Sequence, residues 1–164
     1  MKNKKLAPPK IDRSNFDVKS SPIHGKGVFT ARPIKKGDPI VEYKGERISW
    51  KLAEKRHPHD PKDPNHTFYF SLEDGRVIDA KYGGNAARWI NHSCKPNCET
   101  REDIFNNEAR VFVYAKRNLK VGEELFYDYS LDVEGRVTKQ MKKDYECRCG
   151  AKKCRGTMLS LDDK

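Results

Sequence analysis

The sequence predicts a single mostly-β domain with few short helices, and three observations lead there. Short runs rich in Val, Ile, Phe and Tyr recur between Gly, Pro, Asn and Asp turns along most of the chain. Only residues 49–56 and 84–90 read as helical, and both stretches are short. The chain has 164 residues, enough for one core and too few for two. Apolar and charged residues each make up 35%, which suits a compact fold with polar loops better than a large interior.

Taken in order, residues 1–13 form a basic, proline-containing stretch expected to be a flexible tail. HGKGVFTARPIKKGDPIVEYKG (24–45) predicts short strands joined by a turn at 35–38. SWKLAEKR (49–56) predicts a short helix with Ser49 as its cap. HPHDPKDPNH (57–66) holds three prolines and is read as a solvated loop, in preference to a metal site built from His57, His59, Asp60 and His66. TFYFSLEDGRVIDA (67–80) predicts a hairpin about Asp74-Gly75, and GNAARWI (84–90) one helical turn. CETRE, an Asn106-Asn107 turn and EARVFVYA (108–115) predict a second hairpin, and VGEELFYDYS (121–130) a turn entering a strand.

No stretch approaches the roughly 18 apolar residues of a membrane span. MKNKKLAPPK has charge but no apolar run, so a secretory leader is not expected and the expected setting is intracellular. The net charge of +10 is unevenly placed. Residues 1–13 carry five basic side chains against one acidic, and residues 135–156 carry eight against two, so these segments hold the whole excess. Such segments are either solvated or a contact to a polyanion such as DNA.

Five cysteines, Cys94, Cys98, Cys147, Cys149 and Cys154, are an odd number and clustered. In a chain without an export leader, clustered thiols read as metal ligands before disulfides. Cys147, Cys149 and Cys154 can wrap one face of a zinc ion, with the fourth thiolate from Cys94 or Cys98 about fifty residues upstream. Four thiolates leave no open position, so such a zinc is structural, and its binding free energy becomes folding free energy for a tail nearly devoid of apolar residues.

Two further groupings carry chemistry. Asn91 and His92 set an amide and an imidazole beside the first thiols, either as turn formers or as a grip on a polar ligand. On a strand, Leu125, Tyr127 and Tyr129 share one face. They form either a core stripe or, because buried phenols need hydrogen-bond partners, the lining of a narrow polar channel.

These motifs together resemble the SET-domain protein lysine methyltransferases of trithorax type. The matching stretches run in family order: HGKGVF (24–29), EYKG (42–45), NAARWINHSCKPNC (85–98), GEELFYDY (122–129) and CRCGAKKCRG (147–156). The resemblance implies a SET β-fold over residues 14–134, in which the GEELFYDY region threads beneath the NHSC loop as a pseudoknot. A zinc-binding post-SET segment would follow over residues 135–164. It implies that His24, Gly25, Lys26, Phe68, Arg88, Asn91, His92 and Tyr129 contact S-adenosylmethionine. Cys94 is then the fourth zinc ligand, with Cys147, Cys149 and Cys154, and Cys98 is the spare thiol. Tyr129 becomes the catalytic phenol, and Tyr43 and Tyr127 line the lysine channel. Phe68 stands where relatives often carry Tyr, and Trp89, in place of the usual Phe, is read as core.

The implied partner is a protein lysine, on a histone tail or another DNA-associated basic protein. One or two methyl groups would be added, by a monomer that touches DNA through its basic segments and not a membrane. The implied setting is nucleus or chromatin, that of a host if the chain is a bacterial or viral effector, and otherwise a bacterial cytoplasm. The rival readings are a catalytically silent, zinc-stapled chromatin or nucleic-acid binder, and a methyltransferase of a non-histone protein.

Overall fold

The computed structural model describes residues 7–56, 68–131 and 135–161, so the histidine-containing loop at 57–66 lies outside the described residues. Among the described residues, ten short strands and two short α-helices make up most of the regular structure, as the turn-rich sequence predicts. Strand β1 (Phe16–Ser20) pairs antiparallel with β2 (Lys26–Thr30). Strand β3 (Pro39–Tyr43) lies beside β9 (Glu108–Ala115), which also pairs with β8 (Cys98–Phe105). The Asn106-Asn107 turn joining those two takes φ of 50° and 64°, the left-handed backbone that asparagine tolerates best and a tight hairpin requires. A third sheet orders β4 (Glu46–Ile48), β6 (Val77–Asp79) and β5 (Tyr69–Ser71), with Gly75 turning the predicted hairpin at φ 88°.

Helix α1 (Trp50–Arg56) starts where expected, with Ser49 Oγ accepting from the N–H of Leu52 at 3.1 Å. Arg56 ties its far end to Glu46 at 2.9 Å and to the fully buried Asp79 at 3.1 Å. GNAARWI gives a 3-10 turn at Ala86–Trp89, and α2 (Lys139–Asp144) is capped by the Thr138 hydroxyl. Among the described residues no helix is long and apolar enough to cross a membrane.

The remaining strands are the shortest. β7 (Asn91–His92) and β10 (Phe126–Tyr127) pair in parallel over two residues each. The predicted strand over 121–130 is therefore shorter than its composition suggests, because each side of it meets a different partner. On one side Leu125 N–H donates to Val28 O at 2.8 Å and Thr30 N–H to Glu123 O at 2.9 Å. On the other, Asn97 sends its amide to Glu124 O and accepts from Phe126 N–H, both at 2.8 Å. Segment 122–129 thus passes between β2 and the loop 91–97. This is the threading that the SET resemblance implies, and it is rare among folds.

The core lies between β2, β3, β9 and this threaded segment. Val28, Ile40, Ile78, Val111, Val113 and Leu125 are fully buried. Each such side chain contributes about 1.5–3 kcal/mol of apolar burial. Trp89 sits at the edge of the core and not within it. Its ring packs edge-on to Phe68 at 5.2 Å, with Lys26 Nζ and the Arg88 guanidinium 4.9 and 4.8 Å from its centroid.

Asn97→Ala removes two hydrogen bonds and strands a buried carbonyl and N–H, so stability should fall by about 2–4 kcal/mol. Ile104→Ala, at a position 68% exposed, should cost little. Urea unfolding of the two variants measures the contrast; equal midpoints would contradict the role given to Asn97.

Candidate active site

A cleft of about 830 Å³ opens beside the threaded segment, and its walls collect side chains from distant parts of the sequence. Tyr43 from the end of β3, Phe70 from β5, and Tyr127 and Tyr129 from the GEELFYDY stretch form a chain of rings. Centroids are 5.2 Å apart for Tyr43 and Phe70, 6.4 Å for Phe70 and Tyr127, and 5.0 Å for Tyr127 and Tyr129. Tyr43 donates to Phe68 O at 2.9 Å, and Tyr129 donates to Ile90 O. The Tyr127 phenol has no hydrogen bond among the described residues, although its residue is buried. Burial raises all three hydroxyls above the usual tyrosine range, helped by neighbouring phenols at Tyr43 and Tyr127 and by the Glu124 charge at Tyr129, so they are neutral at physiological pH.

Both readings of the Leu125, Tyr127 and Tyr129 stripe hold at once. Leu125 is fully buried, and the two phenols pack on the same core cluster while their faces line the cleft.

Next to the rings, the Asn91 amide donates to Lys26 O at 3.0 Å and Glu124 Oε1 at 2.9 Å, and lies 3.2 Å from His24 O. Glu124 also accepts from Ser21 Oγ at 2.7 Å. Glycine at 27 makes this possible, since a Cβ there would fall 2.2 Å from Glu124 Oε1. Asn91 therefore shapes the 24–26 loop as much as it faces the cleft. His92 Nδ1 accepts from Tyr129 N–H at 3.0 Å, and its Nε2 lies 3.4 Å from Cys94 Sγ. Burial pushes this histidine down to about 4 against the pull of Asp128, so the ring is neutral.

Of the residues singled out from the sequence, His24, Tyr43, Arg88, Asn91, His92, Tyr127 and Tyr129 line the cleft. Gly25, Lys26 and Phe68 adjoin it without lining it. Lys26 contributes its carbonyl to Asn91, and Phe68 contributes its carbonyl to Tyr43. Arg88 Nε is buried with no partner, and Nη1 reaches Ala80 O at 3.4 Å, so a cation on the cleft wall lacks a matched anion among the described residues.

The thiols converge. Cys94, Cys147, Cys149 and Cys154 place their sulfurs within 4.8 Å of one another, with 3.7 and 3.9 Å from Cys94 to Cys147 and Cys154. A tetrahedron of thiolates at about 2.3 Å from zinc has edges of about 3.8 Å, so the donor set fits that ion. Cys98 is elsewhere, 1% exposed in the core, where burial pushes its thiol up to about 12.

Arg155 then locks the tail to the threaded segment through a forked pair with Asp128, at 2.6 and 3.0 Å. Burial alone would raise the Asp128 carboxyl, but Arg155 and the Ser130 N–H hold it down to about 2. The pair is therefore intact above the ordinary carboxylate value of about 3.9 and is lost as pH falls through 2.

Phe70, Asn97, Glu124 and the Arg155–Asp128 pair were missed by sequence reasoning. Asn97 and Glu124 stand inside motifs already quoted, and Phe70 shares the strand face of Phe68, so the period-2 pattern was the available hint.

A threaded two-strand pairing, a channel of phenols and a thiolate-pinned tail define a SET-type domain. The SET domain family model matches residues 25–130, and the chain belongs to that family. It is 39% identical over 146 residues to the histone-lysine N-methyltransferase trr of Drosophila melanogaster, covering 89% of this chain and 6% of that protein. Identity is 35% over 154 residues to histone-lysine N-methyltransferase set1 of Dictyostelium discoideum, with 93% and 10% covered. It is 38% over 146 residues to human histone-lysine N-methyltransferase 2B, with 89% and 5% covered. The chain thus spans a tenth or less of the length of these relatives. Among solved structures it is similar to ctPRC2 in an autoinhibited conformation bound to S-adenosylmethionine, with a TM-score of 0.65 and 30% identity, over 71% of this chain and 15% of that one.

Replacing Cys149 by Ser should remove bound zinc and expose residues 135–161 to proteases, while the β core persists. Cys98→Ala should keep one zinc per chain. Elemental analysis with limited proteolysis reads both; loss of zinc from the Cys98 variant would contradict the assigned set.

Proposed function

We propose that this chain transfers methyl groups from S-adenosylmethionine to lysine side chains of a histone or another DNA-associated basic protein. The observation that carries the reading is the channel of Tyr43, Tyr127 and Tyr129 opening into the same cleft as Arg88 and Asn91. S-adenosylmethionine brings a sulfonium methyl that an amine can take by in-line displacement.

The residues present fit such a donor. Arg88, with its unmatched charge and orphaned Nε, suits the donor's carboxylate, and His24, Asn91 and His92 surround the same space. Gly25, Lys26 and Phe68 act behind them through their backbone. The substrate lysine must be neutral to attack. A dry channel of aromatic walls lowers its pKa, and its proton leaves to water. Tyr129 is the catalytic phenol: anchored on Ile90 O, it holds methyl and amine in line, so that catalysis comes mostly from positioning. Tyr43 is fixed on Phe68 O and walls the channel. Tyr127, with no protein partner among the described residues, can hold the amine or a water. Its hydroxyl occupies room that further methyl groups need, which favours one or two methylations. Cys94, Cys147, Cys149 and Cys154 would hold a zinc, and so loaded they would fix the tail that completes the cleft wall, to which Cys147 itself contributes.

A catalytically silent binder would have no use for these three phenols in one channel. We infer that the protein works as a monomer on chromatin, in the nucleus, with the basic segments at 1–13 and 135–156 contacting DNA.

With a lysine peptide, Tyr129→Phe should lower kcat by about a hundredfold or more, a loss of positioning. The rate should rise with pH as the amine deprotonates, and Tyr129→Phe should not move that limb; a displaced limb would make the phenol a base. In the same assay Tyr127→Phe should shift products toward trimethyl-lysine, read by mass spectrometry. Mostly trimethylated product from the native chain would reject the role given to Tyr127.

Activity on DNA-bound histone should exceed that on free histone at low salt, and the gain should shrink as salt rises. Equal rates at both salt levels would refute the DNA contact.

A further inference from the structure

Helix α1 presents two residues to the mouth of the cleft that methyl transfer itself leaves unused, Trp50 and Glu54. They are four apart in sequence and so share one helix face. Trp50 is 48% exposed, a large open indole on a functional wall. Glu54 is exposed, and its carboxylate makes no hydrogen bond or ion pair among the described residues.

The helix's cations are placed elsewhere. Arg56 is taken up by Glu46 and Asp79, and Lys51 and Lys55 do not line the cleft. The facing wall balances Asp144 and Glu146 against Lys143 and Arg148, with Glu146 and Arg148 paired at 3.2 Å. Among the described residues Glu54 therefore leaves a negative charge without a partner beside an open aromatic face.

This pair is held in register with the channel. Tyr69 donates to Ala53 O at 2.9 Å, and Ala53 packs with Ile48 and Val77. The next residue, Phe70, is the channel ring beside Tyr43 and Tyr127. Trp50 and Glu54 line the same cleft as the channel rings, and an extended peptide advances about 3.3–3.6 Å per residue, so residues flanking the lysine run along this cleft.

An indole face attracts a cation through its quadrupole, and a carboxylate one helical turn away adds a charge-assisted partner. A guanidinium uses both, its plane against the ring and its N–H groups toward the carboxylate. An apolar side chain would use the ring alone, and an acidic one would be repelled by Glu54. We propose that Trp50 and Glu54 read a cationic side chain, best an arginine, flanking the target lysine. This rests on the methyltransferase reading and narrows its substrates to lysines with a basic neighbour.

The test uses the full chain with zinc bound and an array of fluorescein-labelled peptides. Each peptide has one central lysine in a Gly/Ser background, with each flanking position filled in turn by arginine, norleucine or glutamate. Anisotropy reads binding, and a tritiated methyl donor reads transfer. At one or two flanking positions the native chain should prefer arginine over norleucine by about tenfold.

Trp50→Ala and Glu54→Gln should each bring that ratio near one, and Trp50→Phe should keep most of it. Glu54→Lys should turn the preference toward glutamate, a gain that mere loss of folding cannot produce. The same arginine preference in native and variant chains, or no peptide bound by the native chain, overturns the proposal. Arginine-selective binding that the variants lose, with no methyl transfer to any peptide, refutes the methyltransferase reading instead and leaves this one standing.

Discussion

The passage of residues 122–129 between β2 and the loop 91–97 is the constraint from which the rest of the structure follows. A strand crossing there has its backbone groups claimed from both sides, by Val28 and Thr30 on one and by Asn97 on the other. It therefore cannot slide. Its side chains are fixed with it: Leu125 inward, Tyr127 and Tyr129 toward the cleft, Asp128 toward the tail. The regular pairing is only two residues long, so side-chain amides replace the ladder that a longer strand would supply. Asn97 supplies this, donating to one peptide group of the segment and accepting from another with the two ends of one rigid amide.

The C-terminal segment solves a different problem. It has few apolar residues with which to pack, and its like charges repel. Four thiolates drawn from two distant stretches replace the missing hydrophobic contacts, and the Arg155–Asp128 fork adds a directional lock. His92 joins the two arrangements, since it touches Cys94 through one ring nitrogen and the Tyr129 backbone through the other. Order at the thiol cluster and order at the Tyr129 phenol are thereby physically continuous.

The cleft separates two electrostatic tasks. Deep inside, buried phenols stay neutral and donate hydrogen bonds, which suits a reaction needing an uncharged amine. At the mouth, Glu54 and Trp50 face solvent and suit a charged neighbour.

Much of this was legible in the residues. Gly75 and the Asn106-Asn107 pair announced hairpins, Ser49 announced a helix start, and four thiols at metal spacing announced a zinc knot. Local chemistry sufficed there, because turns and caps are decided by neighbours in sequence. The choice between Cys94 and Cys98 was not local, since both thiols follow the same loop. Burial of Cys98 under β9 and β10 removes it, and no spacing rule contains that information. Trp89 was read as core on its apolar character, yet it lies at the core's edge with two cations against it. Phe70 completes the ring chain beside Tyr43 and Tyr127, a meeting of three distant stretches that no local pattern contains. The sequence by itself determined a mostly-β SET domain, its phenols and its clustered thiols. Tertiary structure decided which groups meet, because the site joins stretches up to about a hundred residues apart, and only the threaded crossing brings them within hydrogen-bonding range.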